Sequence, residues 1–167
     1  MGEAPGDYLE FATARSGYLF RTACLLTGGD WHLAEDLVQE TLAKMFRSWR
    51  RIDRRQSPVA YAHTVLVRTF LSHRRLRSSR ERPSDCFPDS AGRADDVELR
   101  LTLLDGLARL AAKDRAVLVL RYWEDRTVEE TAAAMKISQG AVRVRSLRAL
   151  RRLRELLGDE LSEPAVR

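Results

Sequence analysis

The chain has 167 residues, enough for one domain of ordinary size or two small ones. Its 29 basic and 24 acidic side chains leave a net charge of +5 and a pI near 9.7, a balance that favours a polyanionic partner. No run approaches the roughly 18 to 20 apolar residues that span a bilayer, Met1 to Asp7 lack the positive segment of a signal peptide, and two cysteines without ligand spacing argue against a disulfide framework or a metal site. A soluble, cytoplasmic protein without metal or cofactor is expected.

Tyr8 to Leu26 is predicted to be a helix that turns Leu9, Tyr18, Leu19, Ala23 and Leu26 toward a core, with Cys24 a core residue. Thr27-Gly28-Gly29-Asp30 ends it with glycine and caps the next helix. From Asp30 to Phe46 an apolar stripe runs through Leu33, Leu37, Thr41, Met45 and Phe46, and the other face shows Asp36, Gln39 and Glu40. Taken alone, such an acidic face is a solvated one.

A basic loop from Trp49 to Pro58 leads into a helix from about Pro58 to Arg77, where Tyr61, His63 and Phe70 interleave with Arg68, His73, Arg74, Arg75 and Arg77. Basic side chains among aromatics suit melted nucleic acid, since bases stack on rings while arginines hold phosphates. A basic amphipathic helix with its aromatics in the core has the same pattern. Ser78 to Asp95, with two prolines, one glycine and four serines, shows no apolar periodicity and reads as a linker. Residues 78 to 99 carry a net charge of −3, between flanks of +4 each. The fold class is therefore all-α, two small helical domains joined by a flexible linker, with residues 1–77, 78–95 and 96–167 as the three parts. No heptad seam suggests more than a monomer.

The second half holds the clearest motif. Thr127-Val-Glu-Glu is a capping box, with a hydroxyl at the N-cap and Glu130 three residues on. Val128, Thr131, Ala132 and Met135 form one face of the helix it starts, and the small residues Ala132 to Ala134 allow another helix close. Lys136-Ile137-Ser138 makes the turn. Ser138 caps a second helix whose buried arc is Val142, Ala149, Leu153 and Leu156. Gln139, Gly140, Arg143, Val144, Leu147, Arg148 and Arg151 lie on or beside the opposite face. Six arginines and no acid fall between Ile137 and Arg154, charges that repel one another unless a polyanion relieves them. This is the layout of a helix-turn-helix, with Gln139 and Arg143 placed to read base edges and Arg148, Arg151, Arg152 and Arg154 placed for phosphates.

The order of parts, together with Ala34-Glu35-Asp36-Leu37-Val38-Gln39-Glu40-Thr41, Leu118 to Asp125 and Ile137 to Arg143, resembles bacterial RNA polymerase sigma factors of the extracytoplasmic function (ECF) group, within it the actinobacterial SigE-like family. The resemblance runs from Tyr8 to about Leu157. It implies a non-enzymatic initiation factor whose partners are promoter DNA, core polymerase through its β′ clamp helices and β flap, and in some relatives an anti-sigma factor. By the same resemblance Asp36, Gln39 and Glu40 bind polymerase. Arg51, Arg54, Arg55, Gln56, Tyr61, His63, Arg68, Ser72 and Arg75 meet the −10 element, and Thr127, Ser138, Gln139, Gly140, Arg143, Val144, Leu147, Arg148 and Arg151 meet the −35 element. The acidic linker is similar to those that thread the polymerase channels.

The chain departs from its relatives at three places: Arg68 stands where asparagine is common, Ser72 where aspartate is, and Ser146 where a recognition-helix leucine is usual. The last implies a rotated or softer-packed helix. Among other readings, a response regulator needs a phosphoacceptor aspartate after a strand, and a serine recombinase an α/β catalytic domain; neither pattern is present. A stand-alone helix-turn-helix regulator acting without polymerase is the remaining alternative.

Overall fold

The computed structural model describes residues 5–52, 57–76 and 94–162, and among them it is all-helical with no strand. Helix α1 spans Gly6–Thr27 and α2 Trp31–Ser48, followed by a short 3-10 turn at Trp49–Arg51; α3 spans Pro58–Leu76. In the second half come α4 (Ala94–Ala108), α5 (Ala112–Leu118), a π-helical turn at Val119–Trp123, α6 (Val128–Met135) and α7 (Gln139–Ser162). The expected all-α class with two helical halves holds. Most of the predicted linker lies outside the described residues, and its last two positions already belong to α4.

Local chemistry sets the boundaries. At the end of α1, Gly28 takes φ +64°; its N–H donates to Leu25 O at 3.3 Å and Gly29 N–H to Cys24 O at 2.9 Å, the paired bonds of a Schellman ending. Gly28 also has a packing reason to lack a side chain, because a Cβ there would lie 2.5 Å from the Ala108 Cβ at the end of α4. The Asp30 carboxylate accepts from Leu33 N at 3.1 Å and starts α2. The predicted capping box is complete: Thr127 Oγ1 accepts from Glu130 N at 3.1 Å, and Glu130 Oε2 accepts from Thr127 N at 2.9 Å.

The apolar stripes of the two halves meet in one shared cluster, and a smaller cluster of Leu107, Leu110, Leu118, Ala149 and Leu156 lies within the second half. Leu19, Ala23 and Leu26 of α1, Leu37 and Met45 of α2, and Leu66, Val67 and Phe70 of α3 cluster with Ala116, Val117, Leu120 and Val142 of the second half. Each fully buried leucine or phenylalanine contributes about 1.5–3 kcal/mol, so the shared cluster stabilises the packed arrangement of the halves. Cys24 is in this core as expected, and burial pushes its thiol up to about 12. Leu9, expected inside, is 52% exposed: the neighbouring Tyr8 faces inward instead, its ring against Phe46 and Trp49, which turns Leu9 about 100° away from the core. Ser146 is buried and its hydroxyl donates to Val142 O at 2.7 Å. A hydroxyl satisfied on its own helix needs no rotation, and α7 runs unbroken.

One charge is sealed into the seam. Arg115 is 2% exposed, and its guanidinium donates to Leu26 O at the end of α1, to Ala108 O at 3.2 Å and to Leu110 O at 3.0 Å. Loss of solvent, aided by the positive charge of Arg74, brings it down to about 10. Three carbonyls from α1, the end of α4 and the turn before α5 thus share one cation, which offsets its burial and ties the halves at the Gly28–Ala108 contact.

Candidate nucleic-acid and polymerase interfaces

Helix α7 presents its chemistry outward. The Ser138 hydroxyl accepts from Ala141 N at 3.1 Å and begins the helix. Gln139, Gly140, Arg143, Arg148 and Arg151 are exposed, as are Val144 at 61% and Leu147 at 70%. Two bare aliphatic side chains on the most basic helix have no solubilising use, whereas in a major groove they meet thymine methyls and base edges. A Cβ on Gly140 would meet only Ser138 Oγ, at 4.0 Å, so the first turn is open to a close backbone approach. Thr127 is exposed but committed to capping α6, and its backbone N–H holds the Glu130 carboxyl below its usual range. The preceding turn passes through Lys136 at φ 56°, a left-handed residue that closes α6 without glycine.

The aromatic and basic face of α3 is arranged differently. His63, expected to face melted DNA, is 1% exposed. Its Nδ1 pairs with Glu124 Oε2 just beyond the π-helical turn, its ring stacks on Tyr18 at 5.1 Å, and its Nε2 is buried without a hydrogen-bond partner among the described residues. Arg68 donates from Nε to Ala134 O at 2.8 Å and from Nη2 to Ala133 O at 3.1 Å, at the C-terminal, negative end of α6. The small residues of α6 permit this approach. Arg126 answers from the other side, donating to Thr64 Oγ1 at 2.8 Å and to Ala60 O. Trp123 Nε1 donates to Thr22 Oγ1 at 3.0 Å, and Thr22 Oγ1 in turn lies 3.0 Å from Glu124 Oε1. Burial and the Glu124 carboxylate push the Tyr18 phenol up.

Between these elements lies a cleft of about 840 Å³. Tyr61, Thr64 and Arg68 line one wall and Glu124, Asp125 and Glu130 the other. Ser72 and Arg51 are exposed. Arg54, Arg55 and Gln56 lie outside the described residues. Arg75 belongs to α3.

On α2 the acidic face is split. Asp36 and Gln39 are exposed. Glu40 instead receives Lys44 Nζ at 2.8 Å and His73 Nε2 at 2.7 Å, and these two partners hold its carboxyl below the usual range. Lys44 also reaches Thr69 Oγ1 at 3.0 Å, so Glu40 ties α2 to α3.

Sequence reasoning did not single out Asp114, Arg115, Glu124 or Arg126. Arg115 had a signal, a charge directly adjoining the apolar run Ala116-Val117-Leu118-Val119-Leu120. The other three had none, because their partners lie far off in sequence.

The two surfaces coincide with two family descriptions. Residues 13–80 match sigma-70 region 2 and residues 106–155 match sigma-70, region 4. The chain is 38% identical over 161 residues to an RNA polymerase sigma-E factor of Streptomyces coelicolor, covering 94% of this chain and 89% of the relative. It is 33% identical over 151 residues to the ECF RNA polymerase sigma factor SigL of Mycobacterium tuberculosis, covering 84% and 83%. Among solved structures, the sigma factor RpoE in complex with the anti-sigma factor NepR from Bartonella quintana superposes with a TM-score of 0.78 at 25% identity, over 92% of this chain and 98% of that one.

Proposed function

This chain belongs to the sigma-70 family of RNA polymerase sigma factors, in its ECF group, and on that premise we propose where each task of an initiation factor falls on its surface. A sigma factor binds core RNA polymerase and promoter DNA and is not an enzyme, so the assignment concerns recognition. The second half, residues 96–167, inserts α7 at the −35 element. Gln139 and Arg143 read base edges, Val144 and Leu147 supply apolar contacts, and Arg148 and Arg151 meet phosphates. The observation that carries this reading is the exposed face of α7, an aliphatic pair framed by arginines beyond a fully capped turn.

The first half, residues 1–77, binds polymerase through Asp36 and Gln39 and captures unpaired −10 bases. Extruding a base costs a few kcal/mol, which a pocket contacting its edge offsets. Glu40 contributes chiefly by fixing α2 on α3. In the packed arrangement His63 and Arg68 are turned toward the second half, so −10 capture requires α3 to part from α6. The packed form is the one an anti-sigma factor would hold, a reading supported by the likeness to the NepR-bound relative over nearly its whole length. Residues 78–95 span the two elements on the polymerase. The site of action is the cytoplasm, where the polymerase works; among the described residues no helix is long and apolar enough to cross a membrane.

The test is reconstituted transcription with actinobacterial core polymerase, this protein and genomic fragments, with transcript 5′ ends mapped. Specific starts that vanish with Asp36→Arg are expected. Tight duplex binding without polymerase, and no transcripts, would leave a stand-alone regulator instead.

A further inference from the structure

The Asp114 carboxylate is the one acidic group that the described structure sets against the arginines in the N-terminal half of α7. It sits in the first turn of α5, 8% exposed. Its Oδ1 accepts from Arg145 Nη1 at 2.8 Å and from Arg148 Nη2 at 3.0 Å, and its Oδ2 accepts from the same Arg148 nitrogen at 3.2 Å. The two arginines differ in what else they can do. At roughly 100° per residue, Arg145 stands about 100° around the helix from Val144, off the reading face, and Arg148 only about 40° from it. Accordingly Arg145 is 28% exposed and Arg148 59%. Arg148 meets Asp114 through Nη2 alone. Among the described residues none takes its Nε or Nη1 hydrogens, so an exposed guanidinium keeps donors for an outside acceptor, beside the apolar pair.

We infer that Asp114 is a positioning residue for the DNA reader: its buried carboxylate fixes the Arg148 guanidinium as a preformed donor to a single phosphate beside the bases α7 reads. The inference rests on the assignment of α7 to the −35 element. An unrestrained arginine loses much rotamer freedom when it grips a phosphate, and a guanidinium already held by a carboxylate loses less. The chain of carboxylate, guanidinium and phosphate is made of charge-assisted hydrogen bonds, each oriented by the one before it. The same carboxylate carries a negative charge close to the backbone of DNA, so it penalises loose electrostatic binding in other registers. Asp114 thereby trades general affinity for a fixed register.

The experiment uses the full chain assembled with core polymerase and a promoter duplex selected by that holoenzyme from a randomised pool. Single neutral methylphosphonates are scanned across the upstream element. For the unmodified protein one position near the bases read by α7 is expected to cost about tenfold in affinity, the size of one good charge-assisted contact. Asp114→Asn and Arg148→Ala should each flatten that penalty to within about twofold, with the double variant no worse than Arg148→Ala. Binding to unrelated duplex should rise for Asp114→Asn. Arg148→Lys, which keeps the charge but lacks the planar, preoriented fork of the guanidinium, should lose the position-specific penalty too. A penalty that survives in Asp114→Asn and disappears in Arg148→Ala would overturn the proposal, leaving Asp114 a tie between α5 and α7. A scan in which no upstream phosphate matters to the unmodified protein would overturn the −35 assignment itself, and the proposal with it.

Discussion

Helices α3 and α7 are both basic and amphipathic, yet they are held in opposite states. On α7 the aliphatic pair Val144 and Leu147 and the arginines around it face solvent. On α3, His63 is buried against Glu124 and Arg68 is hydrogen-bonded to the end of α6. The difference lies in where each helix finds its partners. The reader proposed on α7 is completed by caps within its own half, at Thr127 and Ser138. The reader proposed on α3 has its polar groups satisfied by the other half, and on that reading is available only when the halves part. A device built from local bonds is finished once its own half folds, whereas one built across a seam has two states.

The strongest way to break the contrast is Arg115→Met. It removes the donors to Leu26, Ala108 and Leu110 carbonyls, and a loss of about 3–5 kcal/mol is expected in urea unfolding. Hydrogen exchange of α3 should rise toward that of an exposed helix while the N-terminal half of α7 keeps its protection; α3 left as protected as before would mean that the seam does not depend on Arg115. Next comes Arg143→Ala, expected to cost about 1–3 kcal/mol, or roughly 5- to 150-fold, in holoenzyme binding to a −35 duplex, with relaxed specificity at one position. Arg68→Ala should spare that binding, and a comparable loss in both variants would erase the distinction between the helices.

Glu124→Gln removes the carboxylate that holds His63. If the packed form hides the α3 face, affinity of the isolated protein for single-stranded DNA should rise about tenfold, the effect of shifting the packed-to-open balance by about 1.4 kcal/mol; unchanged affinity would detach His63 from nucleic-acid binding. Thr127→Ala should cost about 1 kcal/mol of stability through the lost cap and weaken −35 binding only as far as α6 frays, seen as a lowered urea midpoint.

The smallest effect sharpens the picture of α2. Because Lys44 and His73 hold the Glu40 carboxyl below its ordinary 4.5, the stability it contributes is present above that value and is lost as pH falls through the lowered folded one. The gap in urea midpoint between the unmodified protein and Glu40→Gln should therefore be open near about pH 6 and closed near about pH 3. A gap that persists in acid would assign the effect to packing.

Much of this was legible beforehand. The Thr127 capping box, the buried arc of Val142, Ala149 and Leu156 and the stripe of Leu33, Leu37, Thr41 and Met45 all appear where spacing put them. Leu9 did not join its stripe, because the buried face of α1 runs through the adjacent Tyr8, whose ring packs on Phe46 and Trp49. The acidic face of α2 read as one patch, yet Glu40 is drawn aside by His73, 33 positions away.

By itself the sequence determined helices α1 to α3, α6 and α7, the caps at Asp30, Thr127 and Ser138, the all-α class and the basic α7 face, since these rest on bonds and contacts between residues three or four apart. Only the tertiary structure decided that both halves share a core, that Arg115 is sealed into the seam, that Glu124 closes on His63, and that Asp114 takes hold of two arginines of α7. Those pairings join positions from 31 to 89 apart or link side chains across separate halves. Which distant group fills a given gap is set by how packed surfaces fit together, and no local periodicity encodes that fit.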